Sequence, residues 1–164
     1  MLTAHKSNRG KRGERGNAML ESALVAGALF MILFAIIDFS VAVLIKNTVQ
    51  DAVREGTRYA ITGQTISGAG GQDNSIRQIV EQNSLGFLNA NNANLIAINY
   101  FNPATLQPVS GTNSNAAGNI CEISVSGFSW LWMAPYGRSA APLMISAASA
   151  DLVEPTNGGV PPTR

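Results

Sequence analysis

Fifteen consecutive residues without a charge, Ala23–Ile37, lie between two carboxylates, Glu21 and Asp38. No other feature restricts this chain as strongly. Beyond Asp38, Phe39–Ile45 continues the apolar run, so that Met19–Ile45 amounts to 27 residues. As an α-helix this is about 40 Å long, at a rise of ~1.5 Å per residue. It exceeds a bilayer core of about 30 Å. A lone carboxylate inside that core is costly. Glu21 therefore stays at the headgroups, or meets a partner in an assembly, or the run is not a permanent membrane helix. Seventeen residues separate Glu21 from Asp38, roughly 25 Å along a helix axis. The two acids can thus sit near opposite interfaces, with Asp38 read as an interfacial acid or as a possible helix-packing contact.

The charge distribution orients that helix. Over the whole chain, 11 Lys+Arg nearly balance 10 Asp+Glu. Residues 1–16, however, hold Lys6, Arg9, Lys11, Arg12 and Arg15 against Glu14 alone. A basic leader before an apolar run is a topology signal that holds the leader in the cytoplasm. No aromatic side chains are interleaved with these bases, which argues against nucleic acid as a partner. The leader has no periodic apolar face and reads as disordered.

Helical periodicity continues past the apolar run. Ile45, Val49, Ala52, Val53, Gly56, Tyr59 and Ala60 recur at i, i+3, i+4 spacing, opposite Lys46, Asn47, Gln50, Asp51, Arg54 and Arg58. The spacing predicts one helix over 17–61, apolar all round at first and amphipathic later. Asp51–Arg54 and Glu55–Arg58 are compatible charge pairs along it.

A Gly-rich linker, 62–74, follows. Its GAGG is not a phosphate loop, since no Lys-Ser/Thr comes after it. Asp73, Asn74 or Ser75 can cap a short helix that ends near Ser84. Asn94–Phe101 reads as a strand. Cys121, Ile123 and Val125 alternate with Glu122, Ser124 and Ser126, the pattern of a half-buried strand. Leu143–Val153 reads as a third strand. The expected fold class is α+β: a long N-terminal transmembrane and amphipathic helix, then a domain over 75–153 with a short helix and an antiparallel sheet. Residues 154–164 read as a disordered tail.

The means for catalysis are sparse. The single histidine, His5, lies in the leader, and the single cysteine, Cys121, lies in a strand, where it reads as a small buried residue. No acids stand at metal-ligand spacing, and a Ser–His pair is impossible outside the leader. Trp130, Trp132 and Tyr136 read as core or sheet-end packing, with a binding platform or insertion into an interface as the alternatives. Neither an enzyme nor a cofactor is expected.

The sequence KRGERG-NAMLE has a basic leader, a glycine, and a glutamate five residues later at the head of an apolar helix. It resembles the processing site of type IV pilin-like proteins. The resemblance implies cleavage by a prepilin peptidase between Gly16 and Asn17. Glu21 would then be the fifth mature residue, contacting the N-terminal ammonium that Asn17 presents on a neighbouring subunit. The Ile37-Asp38-Phe39 step and the segment Ala52–Ala60, which contains Arg54, Glu55, Gly56, Arg58 and Tyr59, resemble the TadE-like family of Tad (Flp) pilus assembly proteins. Ser22 and Ser40 depart from the family pattern, in which an aromatic and a glycine are frequent. The resemblance implies a minor pilin or pseudopilin in the bacterial inner membrane, single-pass, with the C-terminal domain outside the cytoplasm. Its implied partners are other pilins and pseudopilins, the Tad assembly machinery, the peptidase and membrane lipids.

Two readings of other kinds stand beside this one. An uncleaved membrane anchor would carry an extracytoplasmic binding module. Alternatively, Ser40-Val41-Ala42 would serve as a signal-peptidase site and release a secreted protein.

Overall fold

The computed structural model describes residues 10–134, 141–156 and 159–164, with the backbone alone for 10–15. Helix α1 spans Gly10–Ile61, α2 spans Gln72–Asn83, and a 3-10 turn at Ala93–Leu95 leads into β1, Ile96–Phe101. Strands β2, Ile120–Trp130, and β3, Leu143–Leu152, complete an antiparallel sheet of order β1-β2-β3. The α+β class and all three expected strands are present. Because α1 begins at Gly10, residues 10–16 are helical, where a structureless leader was expected.

The amphipathic half of α1 is the central core element. Ile45, Val49, Ala52, Val53 and Ala60 are all buried, and α1 packs against α2, β2 and β3. On the sheet, cross-strand partners supply the facing layer: Ile96 opposite Val125, Ile98 opposite Ile123, and Tyr100 opposite Cys121. Between Val125 and Phe128 the β2–β3 register shifts. This irregularity reverses the parity of the strand. Cys121, Ile123 and Val125 point inward before it, and Phe128 and Trp130 pack on the core after it.

Gly56 shows why α1 and α2 can lie so close. A Cβ built there would collide with Val80 Cγ2 of α2 and meet Ile123 Cδ1 of the sheet at 3.4 Å. Only a residue without a side chain fits where these three elements converge.

Strand β3 rises beside α1, away from the apolar half. Gln50 Nε2 donates to the Ala148 carbonyl at 2.9 Å, Thr57 Oγ1 lies 3.3 Å from that of Ser149, and Glu154 N–H donates to the Ile61 carbonyl at 3.0 Å. Strand β2 runs the opposite way and delivers its end to the base of the domain.

The C-terminal segment is not the loose tail expected from its composition. Thr163 O accepts the Gln72 N–H at 2.7 Å, at the start of α2. Arg164 pairs with Asp73 at 2.8 Å and lies 4.7 Å from the ring centroid of Tyr100. Buried Gln72 donates to the Ala60 carbonyl at 3.0 Å, and Asn115 Nδ2 donates to Pro162 O at 2.8 Å. Helix α2 therefore starts at Gln72, ahead of the expected caps. Its N-cap is Gly71, at φ 130°, where a Cβ would meet the Arg164 carbonyl carbon at 2.5 Å.

Replacing Gly56 by alanine brings two effects into opposition. Alanine gains up to about 1 kcal/mol of helix propensity. Overpacking costs ~1–3 kcal/mol, and the stiff Val80 side chain does not turn aside readily. Overpacking should win. Gly56→Ala is expected to lower the thermal midpoint of the full chain in detergent, followed by near-UV circular dichroism, and an unchanged or raised midpoint would refute this packing account.

Candidate functional site

Two solvents are written onto α1. Its span Gly16–Ile61 contains an 18-residue window of mean hydropathy 2.7, of which 17% is buried within the chain. Leu24, Phe30, Ile32 and Ile36 stand among many large apolar side chains with nothing against them. A soluble core helix buries such residues. This one is long and apolar enough to cross a membrane, and from Ile45 onward it is covered by its own domain.

Asp38 marks the change. It is 2% exposed, and its two carboxylate oxygens accept the backbone N–H groups of Met133, at 2.8 Å, and Ala134, at 2.9 Å. The loop after β2 is thus pinned to the helix by a carboxylate that is satisfied within the chain. Both of its oxygens are engaged by that loop. Hydrogen bonds to a charged group contribute about 1.5–3 kcal/mol each, so this clamp is among the stronger single contacts in the fold.

Glu21 is the contrasting case. It is exposed on α1, and no ion pair or hydrogen bond engages its carboxylate among the described residues. Asn17 and Gly16 are exposed one turn earlier. The Ser22 hydroxyl beside Glu21 donates to the Ala18 carbonyl at 2.8 Å, and that of Ser40 to Ile36 at 2.7 Å. Both serines that depart from the family pattern are therefore satisfied inside the helix.

The Arg54–Tyr59 segment divides by environment. Gly56 is a packing residue, and Tyr59 is half-buried, its phenol pushed above its ordinary range by that burial. Arg54, Glu55 and Arg58 are exposed. Arg54 pairs with Asp51 at 3.5 Å, whereas the expected Glu55–Arg58 pair does not form among the described residues. An exposed pair of this kind contributes little.

The remaining candidates for chemistry are structural. Cys121 is wholly buried between Tyr100 and the helix layer, and desolvation pushes its thiol up to about 12. A thiolate is the reactive form, so this cysteine is not a poised nucleophile. Among the described residues there is no group of three His, Cys, Asp or Glu side chains placed to hold a metal. Trp130 packs on the core, and Trp132 Nε1 donates to the Ala141 carbonyl at 3.1 Å. Tyr136 lies outside the described residues.

Against this geometry, the comparisons agree with the helix. A family model described as TadE-like protein matches residues 16–58, which start at the glycine before Asn17 and end one residue short of Tyr59. The similarity to that family covers these residues of α1 and does not extend into α2 or the sheet. No curated protein and no solved structure matches the chain.

Two measurements check the site. Asp38→Ala leaves the part-buried Met133 N–H and the buried Ala134 N–H without acceptors and should cost about 2–4 kcal/mol. The loop 131–134 should then become the first site of limited proteolysis; a cleavage pattern like that of the unaltered chain would argue against the clamp. Cys121 gives a pH signature. Its thiol is raised from an ordinary 9.0 to about 12 in the folded chain. The contribution of this thiol to stability is therefore fully present below about pH 9 and is lost progressively as pH rises toward 12. Cys121→Ser should flatten that alkaline decline in thermal midpoints measured across the range.

Proposed function

We propose that this chain is a minor pilin or pseudopilin of a bacterial Tad (Flp, type IVb-like) pilus, a structural membrane subunit and not an enzyme. Its basic leader lies in the cytoplasm, α1 crosses the inner membrane once, and the domain over 72–164 stands on the extracytoplasmic side. A prepilin peptidase cuts between Gly16 and Asn17. The exposed apolar half of α1 then packs among the helices of other pilins, with Glu21 facing the new ammonium of a neighbour's Asn17. The Tad assembly machinery provides the other partners.

The observation that carries this reading is the unequal treatment of two acids on one helix. Asp38 is fully engaged within the chain, whereas Glu21 heads an exposed apolar face with no engagement of its own. In a low-dielectric assembly, a carboxylate–ammonium pair is strengthened, and loss of either member strands the other. A helix face with Ala18, Ser22 and Ala26 at four-residue spacing also permits close approach of a second helix. The secreted reading fits less well. A cut after Ala42 would remove Asp38 and leave the Met133 and Ala134 amides without their acceptor.

Intact mass and N-terminal sequencing of the protein from native membranes provide the test. A chain that starts at Asn17 supports the pilin reading, and Glu21→Ala should then abolish surface pili while the protein remains expressed. A start with Gly16 still joined to Asn17 would overturn it in favour of an uncleaved anchor. A start at Val43 would indicate the secreted form.

A further inference from the structure

The base of the domain is as apolar as the helix that enters it. Phe39 (69% exposed), Leu131 (68%), Met133 (53%) and Met144 (61%) surround the Asp38 clamp. Beside them, α1 and the start of β3 leave a groove of about 510 Å³ lined by Phe39, Val43, Trp132, Leu143, Met144 and Ile145. That volume falls in the range of small-molecule sites, about 300–1,000 Å³. Lys46 closes its upper end. Phe39, Val43 and Lys46 fall at i, i+4 and i+7, on one side of the helix, so an apolar channel about 10 Å long ends in an ammonium.

The depth of this groove identifies what covers it. Lys46 is the sole cation between Gly16 and Arg54. Thirty residues separate it from Gly16, about 45 Å of helix. A bilayer with its headgroups is about 40–45 Å thick. With the leader at the cytoplasmic headgroups, Lys46 reaches the opposite headgroup layer, and Phe39 lies near the outer edge of the hydrocarbon. Trp132 is at the level where tryptophan is enriched in membrane proteins.

We propose that this groove seats an acyl chain of an anionic phospholipid from the outer leaflet of the inner membrane, with the lipid phosphate on the Lys46 ammonium. The apolar surface at the base is continuous with the bare membrane-length face of α1, so the bilayer covers both. Among the described lining residues Lys46 carries the only charge, and it takes the phosphate by charge complementarity. The lipid thereby fixes the height of the domain above the bilayer. This inference rests on the single-pass reading above and adds a ligand to it.

The full chain, carrying Trp130→Phe, is reconstituted into phosphatidylcholine vesicles that contain a minor fraction of acyl-brominated lipid. Trp132 is then the only tryptophan of the original two. The substitution removes no hydrogen bond, since Trp130 Nε1 has no partner among the described residues. Brominated phosphatidylglycerol should be about five-fold enriched over brominated phosphatidylcholine as a quencher of Trp132, the preference expected of one lysine at an anionic surface. Lys46→Gln should abolish that preference, and Lys46→Arg should retain it. Ser146→Leu, which fills the groove from an exposed strand position, should reduce quenching by both lipids. Equal quenching by the two lipids, or quenching indifferent to Ser146→Leu, would overturn the proposal and leave a second protein chain as the occupant. Protease protection of the leader in the same vesicles separates the two levels. A protected leader with no lipid preference refutes the groove alone, whereas an unprotected leader refutes the spanning helix as well.

Discussion

The structure depends on one helix with a bare apolar half and a half buried in its own domain, and Asp38 is the residue that marks the division. An α-helix satisfies its own backbone and can therefore pass from lipid into a protein core without interruption. The domain around it cannot. Its loops carry backbone N–H groups that need acceptors wherever water is scarce. At the base of the domain, the Met133 and Ala134 amides obtain theirs from a carboxylate on the helix. The same contact marks the end of the stretch of α1 that the domain does not touch, residues 17–37, about 32 Å of helix, close to one hydrocarbon core. Beyond it, one face stays exposed at Phe39 and Leu44 while the other is buried. Counting residues from Met19 to Ile45 overstates the bare segment, because Ala42 and Ile45 already belong to the domain.

Since α1 is also the main core element of the domain, its apolar half and the domain are rigidly coupled. Ile45, Val49, Ala52 and Val53 are buried against the sheet, and Gly56 lets α2 close over the next turn. No flexible linker intervenes between the apolar half and this packed half. On the single-pass reading, a tilt or axial shift of the helix is therefore transmitted to the whole domain. For a subunit whose helix packs among others, the displayed surface follows helix packing directly.

Much of this was legible from periodicity. The switch of α1 from all-round apolar to amphipathic, the alternation of Cys121, Ile123 and Val125, and the α+β class follow from side-chain spacing. What spacing does not encode is long-range pairing. Asp38 meets residues about 95 positions away, and nothing local announces it. The C-terminal segment misled because composition alone suggests disorder, whereas Arg164 docks onto Asp73 and the Tyr100 ring. Parity within β2 was also hidden, since the register shift after Val125 reverses which residues face inward. The groove beneath β3 has no sequence signature, because it exists only where Phe39, Trp132 and Leu143 converge.

The two carboxylates of α1 show how a chain can hold one ionic interaction in reserve. Folding consumes Asp38, which has both oxygens engaged and little surface left. It leaves Glu21 untouched, because the domain ends 17 residues short of it. A buried charge is tolerated when it is paired; hence Glu21 is a poor fit to the bilayer as a lone subunit and a good one beside a cationic partner. On the pilin reading, cleavage creates that partner four residues upstream on an identical or related helix. Electrostatics then favour axially staggered neighbours over a free subunit, and the selectivity comes from the penalty of remaining alone as much as from the strength of the pair. Asp38 imposes no such penalty, so the fold of the domain and the assembly of the helix are governed by separate acids that do not compete.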